Sequence, residues 1–561
     1  MLAHLLLSTA SRYSPRTKIA RHSRPSSHFA YLHALLPGAR RAGHHRRCNR
    51  MRAPFRTFLT FGRIARALGA TLALGAATIA GAQTLRVGQA EDIDMLDPTL
   101  SRSFVGRTVF ASLCDKLFDI DEKLAIVPQL ATSYQWSADN KVLTLKLRPG
   151  VTFHDGEKFD AAAVKFNIER GKNLPGSSRR AELLPVAGVT VVDPLTVKLE
   201  LSAPFAPLLS ILADRAGMMV SPKAAKANPT GFASNPVCSG PFKFKERVPQ
   251  ERIVLERFPN YWNKDAIHFD KVIFQPFVDA TVRLANLRSG QLDIIERVAS
   301  SDVAALKAEN KLGLVRFPLL GYVGIYVNVG KSDLAQKNPL GRDPRVREAF
   351  ELSLDRAGIV QVAADGEGVV SNQWVTPANP FYAKNDPVPK RDIARAKALL
   401  KKAGVPHPSF TLMTPTDSDA QKIAQVVQAM VKESGFDMKI QSTEFGTTYS
   451  LSDKGQFDAQ VRNWSGRVDP DGNVFAFYGC KHAENYMGYC KPEVDELLNK
   501  SRSTLDVAQR VKLYEQIAAE VVKDRPLIYL YHRNGIWAYN KKLTGVRTIP
   551  DGLIRVQGLK M

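Results

Sequence analysis

At 561 residues the chain is long enough for two or three domains and a sizeable buried core, and its 44% hydrophobic and 24% charged content is ordinary for a soluble globular protein. The formal charge of +24 would suit a nucleic-acid binder, but residues 1–82 carry 14 Lys/Arg and no Asp or Glu. Removing these leaves +10 for residues 83–561, mixed in sign and without a long basic run, which argues against a nucleic-acid groove.

The first element is a targeting signal. Met51 opens a segment with Arg52, Arg56, Arg63 and Arg66, followed by the apolar stretch Ala67–Ala82. The small residues Ala80-Gly81-Ala82 precede Gln83, which predicts cleavage after Ala82 and a soluble periplasmic product. A membrane span needs about 20 apolar residues, so a retained anchor is the weaker alternative. No cysteine stands at the cleavage point, which argues against a lipid-anchored start. Residues 1–50 are rich in Arg, His and Ser and lack apolar periodicity. Met51 is then the true start and residues 1–50 are a mis-assigned or disordered extension; the alternative is an unusually long basic region before the signal.

From Gln83 strands and helices alternate, as in α/β domains. Thr84–Gly88 reads as a short strand. Lys141–Leu147 alternates polar and apolar residues, as a half-buried strand does, and Pro149-Gly150 turns it. Asp160 caps a helix through Val164, Phe166 and Ile168 that ends near Gly171. Further on, Ile393, Ala396, Leu399, Leu400 and Ala403 mark one helical face, stopped by Gly404 and Pro406. Phe410–Leu412 is a strand. Ile423, Val426, Val427, Met430 and Val431 form the next helical face, and Met438 and Ile440 lie in a returning strand. Strand, helix and strand in that spacing make a βαβ crossover.

Cys48 falls in the doubtful extension, which leaves Cys114, Cys238, Cys480 and Cys490 in an oxidising compartment. Cys480 and Cys490 flank a short loop and are the preferred bridge; Cys114 with Cys238 follows by elimination. His482 beside Cys480 admits a metal reading, though two thiols in this compartment more often pair. Gly324–Ser332 is a near miss to a phosphate loop, with five residues between its glycines instead of four, and Asp333–Pro339 is a poor helix start; a strand entering a loop is expected there. HExxH, GxSxG and CxxC are absent, and His154, His268, His407, His482 and His532 lack ligand spacing. The sequence supports no catalytic residue, metal or cofactor.

A series of motifs carries a resemblance. Val127–Tyr134, then Leu143–Gly156 (LTLKLRPGVTFHDG), Ser239-Gly240-Pro241-Phe242, Asn260-Tyr261-Trp262, Leu287–Asp293 (LRSGQLD), Asp343–Phe350 (DPRVREAF) and Trp464–Asp471 (WSGRVDPD) follow one another in this order. Each is modest alone. Together they resemble the family 5 extracellular solute-binding proteins of ABC importers, which include dipeptide-, oligopeptide-, glutathione- and nickel-binding members. The resemblance runs from about residue 85 to the end. It implies an α/β, periplasmic-binding-protein type II-like fold of two lobes joined by a hinge, with an extra small domain. Lobe I would take 83–124, 202–285 and 526–561, the small domain 125–201, and lobe II 286–525. It also implies a monomer that encloses a small peptide-like ligand and docks on an inner-membrane permease with a separate ATPase. A periplasmic enzyme, or a peptide-binding chaperone or sensor on the same scaffold, are the alternatives.

In peptide-binding members an acidic residue three positions after the tryptophan of the Trp464 motif pairs with the ligand ammonium. Here that position is Arg467, whose guanidinium suits a carboxylate instead. The expected ligand is therefore anionic at this point; the competing expectation is that Arg467 pairs with Asp469 or Asp471 and never meets it. Trp464 offers an apolar wall, Ser465 and Asp469 flank the site, and Arg462 is a further anion contact. Tyr322 and Trp374 resemble ligand-facing parts of lobe II, and Ser103 and Phe104 those of lobe I.

Overall fold

The computed structural model describes residues 83–330, 332–482 and 484–561. The signal segment 51–82, the extension before it with Cys48, and Lys331 of the glycine-rich stretch lie outside the described residues.

Strand β1 (Thr84–Gln89) opens the fold, and a short hairpin follows, β2 (Phe118–Ile120) with β3 (Ile126–Pro128). Strands β4 (Ala131–Trp136), β5 (Val142–Leu147), β6 (Val186–Asp193) and β7 (Thr196–Leu201) form their own antiparallel sheet in the order β4-β5-β7-β6. The alternation read in β5 is real: Leu143, Leu145 and Leu147 are buried in the core of this small domain. Asp160 caps the helix Ala161–Asn173, accepting from the Ala163 amide at 2.9 Å.

Strands β8 (Phe242–Val248), β9 (Arg252–Arg257) and β10 (Lys271–Pro276) return the chain to β1, which runs parallel to β10. On its other side β1 pairs in parallel with β11 (Ile294–Ile295). Leu85, Val87, Val109, Phe110, Phe242 and Leu255 fill the core here, and this is lobe I. Strand β12 (Leu312–Pro318) also belongs with this half. β11 and β12 pair with the carboxyl-terminal half of the strand Leu527–Asn540, and the strand Tyr322–Val327 with its amino-terminal half, so the pairing changes over at residues 319–321.

Lobe II contains β13 (Tyr322–Val327), β14 (Gly368–Val370), β15 (Ser409–Pro415), β16 (Asp437–Thr443) and β17 (Ala459–Trp464). β15 runs parallel to β16 across the helix Ser418–Lys432, the βαβ unit read from periodicity. That helix turns Ile423, Ala424, Val427 and Val431 inward, with Ile423 and the two valines each contributing about 1.5–3 kcal/mol on burial. The glycine-rich near miss is β13 followed by a loop, but a one-turn helix, Asp333–Lys337, does form there, because Ser332 caps it by accepting from the Ala335 amide. Strand β18 (Leu527–Asn540) joins the halves: Leu527–Tyr531 pair with β13, and Asn534–Asn540 with β12. Among the described residues no helix is long and apolar enough to cross a membrane.

Cys114 is bonded to Cys238 within lobe I, and Cys480 to Cys490 in lobe II. His482 packs against the Phe475 ring at 4.2 Å. His154 is structural: its ring meets the Gly240 carbonyl at 3.0 Å and accepts from the Cys238 amide, and burial lowers its pKa to about 4.

Candidate functional site

The lobes enclose two adjoining chambers of about 130 and 470 Å³. Their position follows from strand direction. β1 and β11 are parallel in lobe I, and β15, β16 and β17 are parallel in lobe II; residues just past their carboxyl ends converge on the gap, where ligands bind in open α/β sheets. Glu91 follows β1, Glu296 and Arg297 follow β11, Asp417 follows β15, and Ser465 follows β17. β13 starts opposite the end of β17, so Tyr322 pairs in register with Trp464.

Gly321 and Gly466 make that junction possible. A Cβ on Gly321 would stand 1.8 Å from the Trp464 carbonyl oxygen, and Gly466 has φ +78° with the Leu320 backbone against it. The turn that carries the tryptophan motif is thus locked directly onto the lobe crossover.

Aromatic rings form the walls. Trp464 meets Phe477 edge-on at 4.7 Å, and its indole N–H donates to Asn473 at 2.8 Å. Tyr322 is buried beside Tyr529 at 4.7 Å, with its hydroxyl 3.2 Å from that of Tyr326. Most charges in the chamber are paired. Arg297 donates to Glu91 at 2.6 Å, Arg533 to Asp419 at 2.5 Å, and Arg102 of lobe I to Asp453 of lobe II at 3.1 Å. Arg462 differs. Its guanidinium lies 4.4 Å from both the Tyr449 and Tyr486 rings and donates to Gln460 and Ser452, and it forms no ion pair among the described residues.

Of the residues expected from sequence, Tyr322, Arg462, Trp464, Ser465 and Phe104 line the 130 Å³ chamber. Arg467 and Asp469 instead line a separate cavity of about 80 Å³ on the far side of Trp464. Arg467 is paired with neither Asp469 nor Asp471. Arg510 holds Asp469 at 2.7 Å, Arg502 holds Asp471 at 3.2 Å, and Arg467 crosses the cleft to Asp214 of lobe I. Ser103 caps the helix Phe104–Leu113 and donates to Asp94, so it shapes the lobe I wall from behind. Trp374 is only 2% exposed and packs against Tyr514 and Tyr529; it belongs to the lobe II core and not to the cleft. Sequence reasoning missed Glu91, Glu296, Arg297, Asp417 and Arg533. A charged residue directly after a buried parallel strand was the available signal for the first four.

A hinge strand shared by two lobes, with a ringed and charged chamber between them, defines a bilobal solute receptor. The chain belongs to the bacterial extracellular solute-binding proteins of family 5, whose model matches residues 125–485. It is 30% identical over 500 residues to the glutathione-binding protein GsiB of Pectobacterium atrosepticum, covering 87% of this chain and 96% of that one. Among solved structures it is similar to the PBP AgaA from A. tumefaciens R10 in complex with agropinic acid, at 27% identity and a TM-score of 0.77, over 85% of this chain and 98% of that one. The dipeptide binding protein from Pseudoalteromonas sp. SM9913 in complex with Met-Leu shares the fold, with a TM-score of 0.79 at 21% identity over 85% of this chain and all of that one. The expected family and two-lobed α/β fold are thereby established.

Proposed function

We propose that this protein is the periplasmic receptor of an ABC importer, which closes around a small, peptide-like solute that presents a carboxylate and hands it on unaltered. The observation that carries this reading is the chamber walled by both lobes, in which the Arg462 guanidinium faces ligand space without a carboxylate partner. A ligand touching both walls makes contacts available only in the closed form, and this differential affinity drives closure. Glutathione and agropinic acid, named for the relatives above, are both carboxylic acids, in keeping with a free guanidinium here. The signal segment with cleavage after Ala82 accounts for export, and the closed monomer docks on an inner-membrane permease driven by a separate ATPase. The role is capture without catalysis or cofactor, as the family's solute-binding members indicate.

The test is thermal-shift and calorimetric screening of the purified protein against glutathione, dipeptides and opines, with recovery of the ligand by mass spectrometry. A true ligand at 100-fold over its Kd adds about 2.7 kcal/mol of stability and is recovered intact. A ligand returned cleaved or modified would sink the reading, as would unchanged uptake in a deletion strain.

A further inference from the structure

Among the described residues nine charged side chains line the 130 Å³ chamber, and seven of them are engaged. Arg297 with Glu91, Arg533 with Asp419, Arg102 with Asp453 and Glu367 with Arg316 are ion pairs. Asp417 caps the helix Ser418–Lys432. The remaining two are of opposite sign and on opposite lobes: Arg462 on β17 of lobe II, and Glu296 after β11 of lobe I.

Glu296 is 1% exposed. Its Oε1 accepts from the Ala90 amide at 3.1 Å, and its Oε2 accepts from nothing among the described residues. The two nearest guanidinium groups are committed elsewhere. Arg283 donates to the backbone carbonyls of Phe277, Glu296 and Arg297, and Arg297 donates to Glu91. A buried carboxylate oxygen without a donor is unfavourable, and burial accordingly pushes the Glu296 pKa up, against the pull of Arg297 and Arg283. An incoming cation relieves that cost. Arg462 is the counterpart on the other lobe: its ring of neighbours is two tyrosines, a glutamine and a serine, and among the described residues the carboxylate that acts on it, Glu484, makes no direct ion pair with it.

We infer that the chamber takes a zwitterionic solute in one fixed sense, with its ammonium group on Glu296 of lobe I and its carboxylate on Arg462 of lobe II. The inference rests on the peptide-like reading of the ligand and specifies its orientation. It also assigns ammonium recognition to lobe I, in place of the tryptophan-motif position, where Arg467 is already held by Asp214. Each ligand charge then grips one lobe, so a solute lacking either charge draws the lobes together less strongly.

The experiment is a chemical double-mutant cycle by calorimetry. The tightest binder from a panel of free dipeptides is measured beside its N-acetyl and C-amide forms, on the purified wild-type protein and on Glu296→Gln, Arg462→Gln and Asp417→Asn. N-acetylation should weaken wild-type binding about tenfold or more, the scale of one charged hydrogen bond, and should cost little in Glu296→Gln. C-amidation should behave likewise with Arg462→Gln. Thermal melting establishes that each variant is folded; if Glu296→Gln is not, Glu296→Asp should weaken the free dipeptide and leave the N-acetyl form unchanged. The orientation is overturned if N-acetylation costs as much in Glu296→Gln as in wild type, or if its cost vanishes in Asp417→Asn instead. Should no dipeptide in the panel bind, the peptide-like reading fails and the orientation with it.

Discussion

The Arg467 guanidinium of lobe II meets the Asp214 carboxylate of lobe I at 2.7 Å, an ion pair that spans the cleft. Arg107 reaches the same carboxylate from within lobe I at 3.1 Å, and the Arg215 amide donates to it at 2.8 Å. Asp214 is buried, yet Arg107, Arg467, Arg215 and Arg179 together overcome that burial and hold its pKa well below the usual range. Arg467→Ala removes the cross-lobe member and should open the ligand-free protein, read as a larger radius of gyration in solution scattering. Asp214→Asn leaves several buried guanidinium groups uncompensated and should cost about 3–5 kcal/mol in denaturant unfolding. Because the folded pKa lies below the unfolded one, this stabilisation is present above about pH 4 and is lost as pH falls through the folded value. The wild type should therefore lose stability in acid more steeply than Asp214→Asn.

Asp115 titrates in the opposite sense. Burial pushes its pKa up to about 7, although Trp262 and Tyr261 donate to it at 2.6 and 3.1 Å. With the folded value above the unfolded one, the contribution of this group is full below about pH 4 and is lost as pH rises to about 7. Relative to Asp115→Asn, the wild type should lose on the order of 4 kcal/mol between those limits. Urea unfolding of both proteins at pH 4 and pH 8 measures this difference; parallel curves would refute it.

The two disulfides should differ in weight. Cys114–Cys238 closes a loop of sequence separation 124, and Cys480–Cys490 one of 10. Loop-closure entropy assigns about 5 kcal/mol to the first and about 3 to the second. Paired serine replacements, compared by thermal melting, should lower Tm more for Cys114/Cys238.

Gly321→Ala should damage binding through the neighbouring turn that it displaces. The added Cβ collides with the Trp464 carbonyl, a backbone atom that cannot rotate away, so Trp464 and Ser465 must shift. Overpacking of this kind costs about 1–3 kcal/mol, and a displaced Trp464 should weaken affinity further. Calorimetry beside thermal melting separates the two effects.

Local signals were legible in the sequence where they were strong. Asp160 before an apolar face, and the alternation in β5, each depend on near neighbours and need no tertiary knowledge. The pairing of β12 was not legible, since it reads as an ordinary strand and only the fold shows which half of β18 it joins. For the site, the tryptophan motif marked a turn that lines the chamber. It could not reveal that Arg467 is satisfied by Asp214, a residue far away in the chain. Trp374 and Tyr322 illustrate the same limit: both are buried aromatics, and only the fold decides that one backs the core while the other faces the chamber.

β18 is the last strand made, and both halves of the large sheet need it: β13 of lobe II at one end, and β11 and β12 of lobe I at the other. Neither half can close its hydrogen-bond ladder until Leu527–Asn540 has been made. Such late, long-range pairing slows folding. A chain that must thread a membrane before it folds gains time from that delay: it stays unlocked until nearly all of it is available for passage.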